Sequence, residues 1–466
     1  VAIDTGSSDL WYFLLATPKD FVFDNTNISM VDMYAGGNAR GTIGFASVEF
    51  GGYKVSKQGM SPIMCFPTVT IGGILDIGLD GFFGLSFAGD QPSVIASTLD
   101  KDKTYANQSQ PFLYNVFDQT PGHDNFIGIS LSRPDDTEKS ADTSFSINEL
   151  DESYAAVVNA SVVPLFPGNN GRWSVLIDGM SIGGIDIPLT GWPSWVRGAP
   201  RGKLVALLDT GAPGALVPDL VYRFIYSHIP GAIFSQSDSS WTVPCNMTSI
   251  LSIKIGGQDF PINPLDLADI SVKTNGSYND SVCSSSWTSS DAIGDFDLIL
   301  GTVFLRNVYT VFNFGNTVSS SPAAGNASIQ LLSLTDATAA AAEVMDVRMA
   351  QVARLRTPLQ PDDPSTSERS SGLAAAVENS PSGSSPSSDL ITKYGPIVIG
   401  LLGANLLVVV ILAVMGLVMC VKRGAKSGSR AHTSTYARAR VDEDMQALDS
   451  YEDKPYEDHT RPYEEN

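Results

Sequence analysis

VAIDTGSSDLW, residues 1–11, and VALLDTGAPGALVP, residues 205–218, each run an apolar stretch into the same triplet, Asp-Thr-Gly. One copy reads as a β-turn, because Asp and Gly are turn residues. Two copies in matching contexts, with none elsewhere, ask for a common reason. Each is followed downstream by apolar residues and a glycine: Phe82-Phe83-Gly84 in DGFFGLSF (80–87) and Leu298-Ile299-Leu300-Gly301 in DLILGTVF (297–304). The chain therefore carries a diverged internal duplication. A pseudo-twofold axis between the halves would bring the two loops together and face Asp4 and Asp209 across it. Two carboxyls that close share one proton. The ionised partner can take a proton from water while the protonated one hydrogen-bonds a scissile carbonyl. That is general acid–base amide hydrolysis without a metal, a cofactor or a covalent intermediate.

Outward from these motifs, residues 1–334 read as mainly β. GTIGFASVEFGGYKV (41–55), NFIGISLSR (125–133), WSVLIDGMSIGGIDIPL (173–189) and YTVFNF (309–314) alternate apolar with small or polar residues between glycine turns. Helical stretches such as PSVIASTL (92–99) and PDLVYRFIYSHI (218–229) are short. From residue 335 the composition changes. DATAAAAEVMDVRMAQVARLR (336–356) can form a short helix, and the Ser/Pro-rich run that follows cannot bury a core. Residues 335–390 are read as a stalk, with an unglycosylated linker as the plainer alternative.

Residues 391–421 are read as a transmembrane helix. Their apolar part, 397–421, has Asn405 as its clearly polar residue and spans roughly 37 Å as a helix, enough for a bilayer core. Lys422, Arg423, Lys426 and Arg430 follow it and only Lys393 lies close before it, so the tail 422–466 is expected in the cytosol and residues 1–390 outside or in a lumen. A polar tail after the span argues against a GPI signal. Sequons at Asn27, Asn107, Asn159, Asn246, Asn275, Asn279 and Asn326 all precede the span and point to a secreted glycoprotein, expected to derive from a longer precursor. Tyr-acid steps at Tyr451, Tyr456 and Tyr463 in the tail read as a solvated segment.

The other chemistries fare worse. A net charge of −21 over 466 residues argues against nucleic acid, since a phosphate-binding surface needs clustered Lys and Arg. Of four histidines, His432 and His459 lie past the span, while His123 and His228 lack a metal-ligand context, so no metal site is expected. Gly179-Met180-Ser181-Ile182-Gly183 matches the nucleophile-elbow pattern, but GGIDIPL after it turns into another strand and not a helix. With four cysteines this is no disulfide scaffold. Cys245 and Cys283 could close a loop worth about 4 kcal/mol of chain entropy, whereas Cys65 and Cys420 have no evident partner.

Taken together, DTGSSDLW, the paired DTG and φφG motifs, MYAGGNARGTIGFASVEFGG (33–52) and LILGTVFLRNVYTVFN (298–313) resemble the pepsin family of aspartic peptidases over nearly all of residues 1–334. The resemblance implies a bilobal β fold with lobes 1–165 and 166–334 and the active site between them. It implies Asp4 and Asp209 as the catalytic pair, supported by Thr5, Gly6, Ser7, Thr210 and Gly211. Tyr34 becomes the flap tyrosine, hydrogen-bonded by Trp11, and Phe82 lines the pocket for the side chain before the cut bond. Cys245–Cys283 matches that family's second-lobe disulfide. Substrates would be polypeptides held as an extended strand, with the catalytic domain a monomer. Stalk and anchor resemble the layout of fungal surface members. Departures are Ala212 and Pro213 after the second DTG, where hydroxyl residues are usual, Ala35 for a flap Gly, and Thr302 where many members have Asp. Without a hydroxyl at Ala212 the pair should be less acidic, and the activity optimum less acid than pepsin's. The reading that competes is a non-catalytic peptide-binding or adhesion protein on the same fold.

Overall fold

A parallel strand pair leads into each Asp-Thr-Gly, and three of the four strands involved run without polar alternation because they are enclosed along their whole length. Ala2–Asp4 pairs with Gly81–Gly84, and Leu204–Leu208 with Leu298–Leu300. Gly81–Gly84, Leu204–Leu208 and Leu298–Leu300 are buried at every residue. In each half a third strand, Leu10–Phe13 or Ala215–Val217, runs antiparallel to the second. It also runs parallel to a fourth, Tyr53–Ile63 or Trp287–Ser289. The repeated motif is thus a repeated topology. The computed structural model describes residues 1–356 except 14–20, 35–36, 64–79, 89–92, 102–103, 106–108, 123–124, 134–142, 169, 276–277, 291–293 and 316–325.

The first half builds a six-stranded sheet that includes the long hairpin Asp24–Tyr34 and Gly37–Phe50; the second builds an eight-stranded one. A five-stranded sheet joins them. It takes Phe126–Ser130, Ser144–Ile147 and Val163–Pro164 from the first half and Val308–Asn313 and Ser328–Ser333 from the second. Aromatic rings fill the space beneath it: Trp173 lies 4.4 Å from Phe87 and 4.7 Å from Phe314, centroid to centroid. Its indole N–H donates to the Leu85 carbonyl at 3.1 Å, so a large apolar ring is buried without an orphaned donor. In the second half, Cys245 and Cys283 form a disulfide that ties the Ser240–Val243 region to the strand Tyr278–Ser285.

One boundary moves. The stalk was expected from residue 335, but Ala337–Arg356 is a helix docked on the second half. Ala340, Val344 and Val347, at helical spacing, are buried, the last two against Leu265. Arg348 is buried with them because its guanidinium donates to the carbonyls of Leu265 and Ala268. The folded body therefore runs to residue 356, since the helix has an apolar stripe to bury. Among the described residues no helix is long and apolar enough to cross a membrane. The span 391–421, the rest of the stalk, the tail, Cys65, Cys420, Asn107 and Ala35 lie outside the described residues.

Candidate active site

Each Asp-Thr-Gly leaves its parallel pair at the same register. Asp4 stands opposite Gly84, and Leu208, just before Asp209, opposite Leu300. The glycine of each downstream motif then has a shared cause. A Cβ on Gly84 would lie 2.3 Å from the Ser8 carbonyl carbon, and one on Gly301 2.2 Å from the Ala212 carbonyl oxygen. Both glycines lie under the chain that follows Asp-Thr-Gly, and no side chain fits beneath it.

The two loops are cross-tied. The Thr5 amide donates to the Thr210 hydroxyl oxygen and the Thr210 amide to that of Thr5, each at 3.0 Å. Each hydroxyl in turn donates into the opposite strand, Thr5 to the Leu208 carbonyl at 2.9 Å and Thr210 to the Ile3 carbonyl at 2.8 Å. Every donor in this buried knot is satisfied by the other half. Replacing Thr210 by Val removes an acceptor and a donor while leaving the buried Thr5 amide unpaired, so we expect a loss of about 2–3 kcal/mol in urea unfolding. An unchanged midpoint would show that the knot does not hold the halves together.

The knot sets the two aspartates face to face. A Cβ on Gly6 would lie 2.5 Å from the Asp209 carboxyl carbon, and one on Gly211 2.4 Å from Asp4 Oδ1, so only glycine admits the opposing carboxyl. The pair is not electrostatically symmetric. Asp4 accepts from the Gly6 amide at 2.8 Å and from the Ser7 hydroxyl. Asp209 accepts from the Gly211 amide at 2.8 Å, and Ala212 offers no hydroxyl. Burial first, then the charge of Asp4 and a hydrogen bond with it, push the Asp209 carboxyl well above the usual carboxylate range. Burial thus favours the protonated form of Asp209.

Trp11, Tyr34 and Phe82 pack as one aromatic cluster. The Trp11 indole donates to the Tyr34 hydroxyl at 2.6 Å, and Phe82 meets Trp11 edge-on at 5.4 Å and Tyr34 at 5.2 Å. A residue not singled out from the sequence joins them: Asp32 accepts the Tyr34 hydroxyl proton at 2.7 Å. The signal was its place two residues before Tyr34 on an alternating strand, which turns both inward. Arg172 is a second such residue, reaching across to donate to the Gly6 carbonyl at 2.5 Å.

The remaining residues lie elsewhere. Ser181 sits within the strand Ser174–Ile182, which turns at Gly183 and Gly184 into Ile185–Asp186, as a hairpin does and a nucleophile elbow does not. Asn27, Asn159, Asn246 and Asn326 are exposed. Thr302 donates to the Pro213 carbonyl at 2.7 Å, so it supports the backbone after the second triplet. Among the described residues no group of His, Cys, Asp and Glu could hold a metal ion.

The family model described as eukaryotic aspartyl protease matches residues 1–323. Aspartic-type endopeptidase ctsD of Aspergillus fumigatus is 26% identical over 50% of this chain and 43% of its own length. The probable aspartic-type endopeptidase CTSD of Arthroderma benhamiae is 24% identical over 67% of this chain and 55% of its own. The chain spans about half the length of these two fungal relatives. Pepsin A of Bos taurus is 26% identical over 68% of this chain and 78% of its own length.

Proposed function

Because the chain belongs to the eukaryotic aspartyl protease family, we propose that it is an endopeptidase that hydrolyses polypeptides with Asp4 and Asp209 as its catalytic pair. The observation that carries this reading is the facing of the two carboxyls over the threonine knot. A water between them would lose a proton to Asp4 while its oxygen attacks the scissile carbonyl. Asp209 would hydrogen-bond that carbonyl oxygen and neutralise the charge that builds on it. The proton held by Asp4 then passes to the leaving nitrogen, and the C–N bond breaks. Substrate would lie as an extended strand between the halves, under the hairpin that carries Tyr34, held largely through its backbone. The aromatic cluster of Trp11, Tyr34 and Phe82 favours bulky apolar side chains at the cut bond. The intact pair and cluster weigh against the peptide-binding or adhesion alternative.

The same proposal includes a type I anchor. The apolar run 397–421 and the basic cluster after it support a catalytic domain at the cell surface or in the secretory pathway, with a cytosolic tail. Exposure of Asn27, Asn159, Asn246 and Asn326 fits N-glycosylation of that domain.

The test is cleavage of a denatured protein by the full chain from about pH 3 to 7, with and without a statine-type inhibitor. Acid-dependent cleavage that the inhibitor abolishes is expected, with an optimum less acid than pepsin's because Asp209 lacks a hydroxyl donor at Ala212. A folded chain that binds peptides without cutting them at any pH would favour the adhesion alternative.

A further inference from the structure

Asp32 is a carboxyl that the two-aspartate reaction does not need. It lies on the strand Asp24–Tyr34, where alternation turns Met30 and Asp32 to the buried face, and it is 7% exposed. An apolar side chain would satisfy that pattern, so a carboxyl there requires partners. The strand itself supplies two: the Tyr34 hydroxyl at 2.7 Å and the Met33 amide. The direction of the first is fixed by chemistry. An indole N–H can only donate, and Trp11 donates to the Tyr34 oxygen, so the tyrosine proton has to point away, to Asp32. From the elements packed around it, Asp4 and Asp9 repel its charge and Arg172 attracts it. Burial, opposed by the Tyr34 bond and reinforced by Asp4, pushes its carboxyl up to about 6.

Resting on the peptidase reading, we propose that Asp32 is a positioning residue of the active site. It locks Tyr34 between itself and Trp11, and its negative charge next to Asp4 makes the catalytic pair hold its shared proton to higher pH. The repulsion is mutual: whatever Asp4 does to Asp32, an ionised Asp32 does to the pair. Removing the charge should therefore lower the pH at which the pair loses its last proton and activity falls.

Two substitutions separate the hydrogen bond from the charge. Asp32→Asn keeps an acceptor for Tyr34 and loses the charge; Asp32→Ala loses both. In pH profiles of kcat/KM with the full chain, the alkaline limb of each variant is expected to move down by roughly half a unit to one unit. KM for Asp32→Asn should stay within about twofold of the parent, while Asp32→Ala raises it several-fold, because only the latter frees Tyr34. Limbs that superimpose on the parent's, whatever happens to KM or thermal stability, overturn the proposal. If the parent chain cuts nothing, the peptidase reading fails, and the Asp4–Asp32 repulsion is still readable by urea unfolding of Asp4→Asn, Asp32→Asn and the double variant. Counted as losses of stability, the two single effects should sum to less than the double at pH 7, since each alone relieves the repulsion, and at pH 4, with Asp32 protonated, they should add. Additivity at both pH values overturns the coupling without reference to activity.

Discussion

Replacing either Asp4 or Asp209 by Asn is expected to lower kcat/KM by about a thousand-fold or more at every pH from about 3 to 7. The two substitutions fail for different reasons. Asn at 4 cannot accept the proton of the attacking water, whereas Asn at 209 cannot provide the shared proton whose movement couples attack to collapse. In the proposed reaction both carboxyls act in one transition state, so the double variant should be little worse than either single one. Neither change should unfold the chain. Asn is close to Asp in shape, and it can still accept from the Gly6 or Gly211 amide. At position 209 it also relieves a carboxyl that burial and Asp4 make reluctant to ionise. Retained folding with lost turnover is the expected pair of results. A variant that keeps a tenth of the parent activity would remove that residue from the reaction.

The fold should be more stable at pH 4 than at pH 7 by a few kcal/mol. Asp9 is wholly enclosed, and although the Ser93 hydroxyl and the Val94 and Ile95 amides bond to its carboxyl, burial and the charge of Asp32 push it from 3.8 to about 7. Asp32 rises from 3.8 to about 6, and Asp209 rises well above its ordinary value. Each therefore keeps a proton in the folded chain at pH values where the unfolded chain has released it. The folded state binds more protons between about pH 4 and 7, so stability falls as pH rises through that window and is flat below it. The Asp9 shift alone is worth on the order of 4 kcal/mol. Net charge of −21 at pH 7 adds self-repulsion in the same direction. Asp151 and Asp178 oppose it, since both are lowered, but each is partly open to solvent, which screens its contribution. Urea midpoints at pH 4, 5.5 and 7 check the sign, and Asp9→Asn should flatten the slope. A midpoint that rises steadily to pH 7 would mean the buried carboxyls are ionised and paired in a way these contacts do not provide.

Local order carried the most legible features. The two triplets and their distant glycines could be read because the strands beside them are apolar and because glycine is forced wherever another chain passes within van der Waals contact. Tyr34, Trp11 and Phe82 were legible through the family resemblance, and the structure brings them into one cluster. Asp32, Asp9 and Arg172 were not, because their meaning lies in contacts between segments far apart in sequence. An Asp on a strand looks like a solvated residue until its neighbour's hydroxyl and an opposing loop are known. The joining sheet was invisible for the same reason, its strands being drawn from three separate regions. Ala340, Val344 and Val347 did lie at helical spacing, but in an alanine-rich stretch too weakly patterned to show that the helix docks.

The central claim is that Asp4 and Asp209 form one site and not two. Calorimetric titration of the full chain with a statine-type peptide at pH 4 tests it most directly, because the statine hydroxyl takes the place of the attacking water between the carboxyls. One inhibitor per chain is expected, with affinity falling at least about a hundred-fold in both Asp4→Asn and Asp209→Asn. Binding that either substitution leaves unchanged would contradict a shared site.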